Sequence, residues 1–225
     1  MEKMMNEAAI LQKRHAIRKY SKEVIDQDTI RKLRQMIEAC NKESGLHIRM
    51  YLQEPKAFQS FFTHFGRFSN VENYIALIGK PGEKLEENCG YYGEKIVCQA
   101  IALGLDTCWV AGSFQRKHIP IHDDEQLCCV IAIGYGKESG KPHKSKPIEE
   151  LCVAETKMPS WFLDGMRCVQ IAPTAMNKQQ FQFTLHQDHC VSVKALSGKY
   201  SKIDLGIVKY HFEAGAGQAA WKWKD

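Results

Sequence analysis

The segment from residue 171 to residue 185 concentrates side chains that could bind a ligand. It reads Ile-Ala-Pro-Thr-Ala-Met-Asn-Lys-Gln-Gln, followed by Phe-Gln-Phe-Thr-Leu. Proline fixes one φ angle and asparagine tolerates left-handed backbone, so the first part predicts a turn whose Thr174, Asn177 and Gln179 can donate hydrogen bonds. The alternation of apolar and polar residues from Phe181 predicts a strand with one buried face. A turn between a helix and a strand can hold a planar ligand, or its amides can merely close the end of the helix.

A basic octet at residues 13–20 could bind a phosphate group. Four of its residues carry a formal positive charge, among them Arg14 and Arg18. The forked donors of arginine match the oxygens of a phosphate monoester, which makes such pairs strong and directional. Taken by itself, the octet can also be a solvated basic face of the protein.

Both segments resemble signatures of the FMN-dependent nitroreductase family. The turn is similar to Ala-Pro-Ser-Ala-x-Asn-x-Gln-Pro-Trp, with Gln180 where that family has proline. The octet is similar to Arg-(Arg or His)-Ser-x-(Arg or Lys)-x-(Phe or Tyr), whose side chains meet the FMN phosphate and the pyrimidine edge of the flavin. Arg14, His15 and Arg18 match this signature, whereas Ala16 replaces the usual serine and removes one hydroxyl group.

Two further segments carry the resemblance. Residues 104–112 are similar to the family's Gly-Leu-Gly-x-x-Trp-(Ile or Val)-Gly-Gly, in which small residues let the backbone approach flavin N5. Residues 143–147 are similar to a Lys-x-Arg-Lys-Pro tail that closes on the FMN phosphate from the side opposite the arginines. The resemblance therefore implies FMN binding by Arg14, His15, Ala16, Arg18, Trp109, Val110, Ala111, Gly112, Lys144, Lys146, Pro173, Thr174, Ala175, Asn177 and Gln179.

Composition limits the class of protein. The 225 residues are 44% hydrophobic and 25% charged, with a formal net charge of +5, as in an ordinary globular chain. Lysine and arginine are spread along the sequence, so we expect no nucleic-acid partner. Nine cysteines without a signal peptide indicate a reducing compartment, and no apolar run reaches the ~18 residues of a membrane span. We therefore expect a cytoplasmic protein without membrane contact and without a metal site.

Periodicity assigns these segments to regular elements. Apolar residues at helical spacing predict helices over residues 1–13, 30–40, 91–103, 160–170 and 206–217. Asp26 or Asp28 is expected to cap the second helix, and Gly104 to stop the third. Strands are predicted over residues 47–52, 74–79, 127–134 and 181–185.

Two aromatic regions have less certain roles in the sequence. The phenylalanine-rich region between Gln53 and Asn73 forms core or, as the resemblance implies, a helical cover over the flavin. Trp221 and Trp223 in the closing tail could stack on a flavin or a nucleobase, but docking of both indoles on the body of the protein is the favoured interpretation.

A repeated pattern divides the chain into residues 1–150 and 151–225. Residues 160–185 repeat the helix, turn and strand of residues 27–52 at an offset of 133, and the helix from Gly206 repeats that from Tyr91 at an offset of 111, which places Gly215 under Gly104. The first half holds the arginines, the Trp-Val-Ala-Gly segment and the lysine tail, whereas only the second keeps the Pro-Thr-Ala-x-Asn turn. Nitroreductases are homodimers with flavins at the interface, so we expect a single-chain imitation of that dimer with one FMN, packed as one globular unit.

The resemblance implies an α+β fold in which a mixed, largely antiparallel sheet is flanked by helices. It also implies that NAD(P)H passes a hydride to flavin N5 and is then replaced by a nitroaromatic, quinone or flavin acceptor. No residue is assigned as a catalytic acid or base, because the flavin carries out the redox chemistry. The alternative is a non-catalytic protein that binds a flavin or nucleotide. A monomer fits the fused architecture, while further association, the acceptor and the choice between NADH and NADPH stay open.

Overall fold

The computed structural model describes residues 7–59, 68–140, 144–217 and 221–224, and within these ranges the chain forms six α-helices and eight β-strands. The helices are α1 (Glu7–Leu11), α2 (Gln27–Ser44), α3 (Leu85–Ala102), α4 (Ile148–Leu151), α5 (Ser160–Gln170) and α6 (Ser201–Ala216). The strands are β1 (Arg49–Tyr51), β2 (Asn73–Gly79), β3 (Asp106–Val110), β4 (Gln126–Gly134), β5 (Cys152–Ala154), β6 (Phe181–Leu185), β7 (Cys190–Ala195) and β8 (Lys222–Trp223). None of the described helices has the length and apolarity needed to cross a membrane.

The strands form two separate four-stranded sheets. The first has the order β1-β2-β4-β3, and all its neighbouring strands are antiparallel. The second has the order β5-β6-β7-β8, in which β6 and β7 are antiparallel and the two edge strands are parallel to their neighbours. The predicted α+β class with largely antiparallel pairing is therefore confirmed. All strands of the first sheet come from residues 49–134 and all strands of the second from residues 152–223.

Helix α2 illustrates how local sequence sets the limits of an element. The Asp26 carboxylate accepts hydrogen bonds from the backbone N–H groups of Asp28 and Thr29, at 3.0 and 2.9 Å, which pairs donors that the first turn leaves free. Gly45 follows the helix with a φ of 72°, a left-handed conformation that glycine adopts without steric cost. The predicted apolar positions are buried, as expected for a helix on a core: Ile30, Leu33, Ile37 and Cys40.

Most predicted elements agree with the structure, but three helices extend beyond their predicted limits: α2, α3 and α6. β2 and β4 are buried nearly throughout, β6 alternates buried and half-buried residues, and α5 covers residues 160–170 as expected. Helix α3 begins at Leu85 rather than Tyr91, and α6 begins at Ser201 rather than Gly206. Glycine is a weak helix former, so a glycine suggests a boundary in the sequence, whereas Gly90 and Gly206 both lie inside helices.

The two halves share a succession of helix, strand, antiparallel strand and helix. It is α2-β1-β2-α3 in the first half and α5-β6-β7-α6 in the second. The repeat at an offset of 133 places the first half's turn at residues 39–44, and this prediction is wrong, because α2 continues through these residues to Ser44. At the offset of 133, residues 38–44 of α2 correspond to residues 171–177, which follow the end of α5. The first half is therefore helical where the second half has its polar turn.

A close crossing of α3 and α6 joins the two halves, and it requires glycine on both helices. A Cβ atom at Gly90 would lie 2.0 Å from the carbonyl oxygen of Ile203. A Cβ atom at Gly206 would lie 1.9 Å from the carbonyl oxygen of Glu87. Each of these contacts is related to the other by a shift of 116 residues, as in a two-fold symmetric interface where residue i meets j and j meets i.

This reciprocal crossing corrects the predicted alignment of the last helices. The offset between the equivalent contacts is 116 rather than 111, so the sequence alignment was displaced by about one helical turn. The predicted match of Gly215 with Gly104 is also wrong, because Gly215 lies inside α6, whereas Gly104 follows α3 with a φ of 82°. Gly217, with a φ of 63°, is the residue that follows α6.

The aromatic residues of the region 53–73 and of the closing tail contribute to the core. Phe58 and Phe68 are buried, with ring centroids 5.7 Å apart, while Phe61, Phe62 and Phe65 lie outside the described residues. Trp221 stacks on the indole of Trp161 at 6.1 Å, and the Trp223 indole N–H donates to Glu213 at 2.8 Å. The expected docking of both tail indoles on the protein is confirmed.

We predict that Gly206→Ala destabilises the protein, although alanine is the better helix former. Propensity alone favours alanine by roughly 1 kcal/mol. The added methyl group would press on the backbone of α3, and overpacking of this kind costs roughly 1–3 kcal/mol or more. Urea denaturation followed by circular dichroism measures the result. Gly82→Ala is the matched control, because a Cβ atom there meets nothing within 4 Å. Equal stability of Gly206→Ala and wild type would contradict the tight crossing.

Candidate functional site

The turn at residues 172–179 has an unusual backbone. Met176, Asn177 and Gln179 have φ values of 52°, 54° and 48°, a left-handed conformation that non-glycine residues adopt at an energetic cost. The Thr174 hydroxyl accepts a hydrogen bond from the Gln179 backbone N–H at 3.1 Å, which closes the turn. Met176, in the middle of the turn, is 80% exposed. Such strain persists only where surrounding contacts fix the backbone, so the neighbours of this turn define its shape.

The lysine tail of the first half contacts this turn directly. The Asn177 side-chain amide donates to the Lys144 carbonyl oxygen at 2.7 Å, and the Lys146 backbone N–H donates to the Gln179 side-chain oxygen at 2.8 Å. The Lys146 ammonium group donates to the Gln179 carbonyl oxygen at 3.3 Å. Gln179 is buried, while the Lys144 side chain is exposed. The structure therefore brings together two motifs that are more than 30 residues apart in the sequence.

The basic octet lies between strand β3 and residues 136–140, which precede the lysine tail in the sequence. Ala16 pairs with Thr107 of β3, and the Ile17 N–H donates to the Thr107 carbonyl oxygen at 3.1 Å. His15 packs so closely on Gly140 that a Cβ atom at Gly140 would lie 2.0 Å from the Cβ atom of His15. The octet thus borders the first half's Trp-Val-Ala-Gly strand on one side and residues 136–140 on the other.

Helix α6 connects the end of β3 with the turn. The hydroxyl of Tyr200, the residue before α6, donates to the Ala111 carbonyl oxygen at 3.5 Å and is the nearest atom to a Cβ placed on Gly112. Both carboxylate oxygens of Asp204 accept from the Ala175 N–H, at 3.0 and 3.1 Å. Since Tyr200 and Asp204 are one helical turn apart, the start of α6 touches the motifs of both halves.

These contacts link the four predicted segments in an order that we call the contact ring: octet, β3 and its end, start of α6, turn and lysine tail. Gly140, which precedes the tail in the sequence, packs against His15 of the octet. The Arg18 side chain is exposed beside the contact ring, and Pro173 is half-buried in the turn. Two surface cavities of about 620 and 700 Å³ lie elsewhere, one at the end of α6 and one beside the start of β4, and no predicted site residue lines them.

Two of the predicted residues face away from the ring. The Trp109 indole packs on Gly93 of α3, where a Cβ atom would lie 2.5 Å from an atom of that indole. Its N–H donates to a carboxylate oxygen of Glu94 at 2.8 Å. The side chain of Val110 is 3% exposed and belongs to the core on the other side of the sheet. At this segment, only the backbone and the small residues that follow are available to a ligand.

A buried polar cluster lies between β3, α3, α5 and α6. Glu94 and His211 are completely buried, and the His211 Nε2 atom lies 2.9 Å from a Glu94 carboxylate oxygen. The His211 Nδ1 atom lies 2.9 Å from the Cys168 carbonyl oxygen, which can only accept, so Nδ1 carries a hydrogen. One further proton must then lie between Nε2 and Glu94, and the His211–Glu94 pair has no net charge whichever partner holds it.

Arg14 adds a buried positive charge beside this pair. Its side chain is 8% exposed, burial lowers the pKa of its guanidinium, and the Glu94 carboxyl acts in the opposite direction. Arg14 makes no ion pair within 4.0 Å in the described part of the chain, and its buried Nε has no hydrogen-bond partner. The buried hydroxyl of Thr107, next to Ala16, also lacks a partner. A buried cation of this kind favours an anionic ligand.

Sequence reasoning missed four residues that this arrangement uses: Glu94, Tyr200, Asp204 and His211. Glu94 had a detectable signal, because a charged residue stood on the predicted inner face of the helix beside Ile96 and Val97. The other three belong to no motif quoted for the family. Their roles depend on contacts across the two halves, which no local pattern records.

A family model described as "Putative TM nitroreductase" matches residues 7–216 of the chain. No curated protein sequence matches it. Among solved structures, a protein of Thermotoga maritima described as a "putative nitroreductase" is 19% identical, with a TM-score of 0.65, and the match covers 96% of this chain and 85% of that one.

Two other solved structures cover less of this chain. A Desulfovibrio desulfuricans protein described as a "putative nitroreductase in complex with FMN" is 16% identical, with a TM-score of 0.54, and the match covers 71% of this chain and 100% of that one. A Bacteroides thetaiotaomicron protein described as "Putative NADH dehydrogenase/NAD(P)H nitroreductase" is 16% identical, with a TM-score of 0.52, and the match covers 65% and 96%. At such identities the similarity concerns the fold, and the predicted nitroreductase-like fold is confirmed.

We predict that Glu94→Gln folds with nearly normal stability, whereas Glu94→Leu is clearly destabilised. Glutamine can accept from the Trp109 indole N–H through its oxygen and donate its amide to a neutral His211. Leucine has a similar size but would leave both groups unpaired in the interior, and each orphan costs about 1–3 kcal/mol. Urea denaturation of the two variants makes the comparison. Equal loss of stability in both would show that the size of the side chain matters here rather than its hydrogen bonds.

Proposed function

Because the chain belongs to the TM nitroreductase family, we propose that it binds one FMN and acts as an NAD(P)H-dependent oxidoreductase of the nitroreductase type. The contact ring is the observation that carries this proposal. Four segments that resemble flavin-binding motifs, three from the first half and one from the second, are neighbours in the fold although they are spread over about 165 residues. The related Desulfovibrio protein with FMN supports the choice of cofactor.

The residues present fit an anionic cofactor. The Arg14 guanidinium is buried beside a pair without net charge, and its Nε has no hydrogen-bond partner among the described residues, so it is available to an acceptor. The Thr107 hydroxyl is a second unpaired polar group at the junction of octet and β3. A phosphate monoester would supply both the missing negative charge and the missing acceptors. An occupant without charge would leave the buried cation uncompensated.

We assign the phosphate end of FMN to the cationic residues of the octet and the lysine tail. Arg14 and Arg18 would supply forked donors, with His15 beside them, while Lys146 acts as a point charge at the edge of the turn. The loss of a serine hydroxyl at Ala16 leaves the neighbouring Thr107 hydroxyl as the substitute that the structure offers. The side chains of Lys144 and Arg18 are exposed and can adjust to the ligand.

We assign the isoalloxazine of the flavin to the part of the contact ring opposite the octet and the lysine tail. Ala111 and Gly112 at the end of β3 are small enough for close approach, and the turn supplies the amide and hydroxyl groups of Thr174, Ala175 and Asn177. When bound, FMN supplies the chemistry of hydride acceptance from NAD(P)H and its transfer to a nitroaromatic, quinone or flavin acceptor. The protein's part is to orient the ring and to stabilise negative charge with neutral donors, so no acid or base is assigned.

The asymmetry of the two halves supports a single flavin per chain. At the position equivalent to the turn, the first half has the last seven residues of α2, whose backbone amides are used within the helix. The second half contains no counterpart of the basic octet. We therefore interpret residues 1–150 and 151–225 as two unequal copies of one subunit, of which only one combined interface retains a complete set of binding residues.

A non-catalytic flavin-binding protein is the alternative to an oxidoreductase, and kinetics separates them. The purified yellow protein is mixed anaerobically with NADH or NADPH, and bleaching of the flavin absorbance is followed before and after addition of a nitroaromatic or a quinone. Bleaching followed by recovery on addition of the acceptor is the expected result. A flavin that neither nucleotide reduces would leave a binding protein as the function.

We predict that Arg14→Met combined with Arg18→Ala folds but purifies with little or no flavin. Loss of one hydrogen bond to a charged group costs about 1.5–3 kcal/mol, so each arginine is expected to contribute roughly tenfold or more to FMN affinity. Stability without flavin should not fall, because Arg14→Met removes a buried charge that has no ionic partner. Absorption spectra and fluorescence titration with FMN give stoichiometry and affinity. Arg34→Ala, an exposed arginine of α2, is the control.

An unchanged FMN affinity in the double variant would remove the arginines from the site. A protein that neither purifies with FMN nor binds added FMN in its wild-type form would overturn the proposed cofactor altogether.

A further inference from the structure

Asp204 is a buried carboxylate in an unusual position. It lies in the first turn of α6 and is 5% exposed. Within the described residues, the hydrogen bond from the Ala175 N–H, shared between its two oxygens, is the one partner that its carboxylate has. A carboxylate can accept several hydrogen bonds, so this one is poorly solvated and energetically costly to bury. A costly group of this kind is expected to have a use.

The role of Asp204 is indicated by the segment that its hydrogen bond with Ala175 holds in place. Ala175 begins the part of the turn in which Met176, Asn177 and Gln179 adopt left-handed backbone. The Ala175 N–H is fixed by Asp204, the Gln179 N–H by Thr174, and the Asn177 side chain by the tail. Of these three restraints, the bond to Asp204 alone uses an ionisable acceptor. Removing its charge weakens the restraint at the start of the strained segment.

The environment of Asp204 is compatible with titration near neutral pH. Burial raises the pKa of the Asp204 carboxyl to about 6, and the hydrogen bond from Ala175 opposes this rise. The buried Cys129 thiol of β4 interacts electrostatically with the Asp204 carboxyl, and also with Glu86 of α3 and with Arg116. Glu87 of α3 is paired with Lys209 of α6. Tyr200 faces the end of β3. No cation therefore forms an ion pair with Asp204 within the described part of the chain.

We propose that Asp204 is a positioning residue for the ligand site, whose charged carboxylate holds residues 174–179 in the shape that binds FMN and releases them when it is protonated. The proposal rests on the proposed function for the identity of the ligand. It adds a regulated property to that site: flavin affinity should fall as the pH drops through the range in which Asp204 gains its proton.

The sign of the stability effect is opposite to that of binding. The pKa of Asp204 is higher in the folded protein than its ordinary value of 3.8, so the folded state binds the proton more strongly than the unfolded state. The folded protein therefore loses stability as the pH rises from about 4 to about 6. Asp204→Asn removes this loss, because asparagine keeps an oxygen acceptor for Ala175 without carrying a charge. The variant should melt at a higher temperature than wild type above pH 6.

The first test needs no flavin. In two-dimensional NMR spectra of the protein without FMN, the amide proton of Ala175 should shift with pH and report a midpoint near 6, because its acceptor changes charge. In Asp204→Asn the same resonance should not titrate, whereas in Asp164→Asn it should behave as in wild type. Asp164 is an exposed aspartate of α5 paired with Arg167, which makes this a matched chemical change. An Ala175 amide that does not titrate in wild type between pH 5 and pH 7 overturns the inference.

The second test uses FMN itself. Fluorescence titrations from pH 5 to pH 8 should show wild-type affinity falling below the midpoint, and one coupled proton at Asp204 contributes at most about a tenfold loss per pH unit. Asp204→Asn should bind more weakly than wild type at pH 8, and its affinity should depend less steeply on pH than that of wild type. The dependence that remains is that of the FMN phosphate, whose second pKa is about 6. Asp164→Asn should follow wild type.

The outcomes distinguish the two proposals. If wild type binds no FMN but the Ala175 amide titrates, the cofactor assignment fails while the protonation of Asp204 is still shown to act on the hydrogen bond at Ala175. If FMN binds equally well to wild type and Asp204→Asn at every pH, the positioning role fails and the proposed cofactor stands.

Discussion

The crossing of α3 and α6 at Gly90 and Gly206 is the contact on which the rest of the structure depends. The two backbones approach so closely that a single methyl group on either helix would meet a carbonyl oxygen at about 2 Å. The contact is reciprocal over a shift of 116 residues, which is the geometry of a two-fold interface between identical subunits placed inside one chain. Each sheet carries its own helices, and this crossing fixes how the halves face each other. The positions of all residues that lie between the halves follow from it.

A buried hydrogen-bonded cluster crosses the same interface. Glu94 on α3 binds His211 on α6, and His211 in turn binds the end of α5, so three helices from two halves share one polar chain. The cluster also fixes Trp109, and with it the strand whose end lies beside Tyr200. Because the His211–Glu94 pair is neutral as a unit, the nearby Arg14 charge is left for another partner. The core thus contains a hydrogen-bonded cluster that fixes how the helices pack, together with a buried positive charge that an anionic cofactor would neutralise.

The halves differ most clearly at the position of the polar turn. In the first half α2 runs on to Ser44, and its amides are paired within the helix. In the second half the corresponding residues leave the helix and adopt a strained turn whose polar groups are shared between neighbours and solvent. The backbone groups of a helix are paired within the helix, whereas a strained turn needs hydrogen bonds from its surroundings. Here those hydrogen bonds come from Thr174, Asp204 and the lysine tail. The strained turn therefore forms where these contacts converge.

The sequence by itself determined the elements and the local motifs. Helical and strand periods, the Asp26 cap and the Gly104 stop depend on neighbouring residues, so α2, α5, β2, β4 and β6 could be predicted, and the four segments of the proposed site could be picked out as motifs. The tertiary structure decided how they meet. Gly90 and Gly206 suggested helix boundaries locally but serve as contact points, and Glu94, His211 and Asp204 gain their partners from residues about 30 to 120 positions away. Such contacts depend on the packing of one half against the other, which leaves no periodic trace in either half.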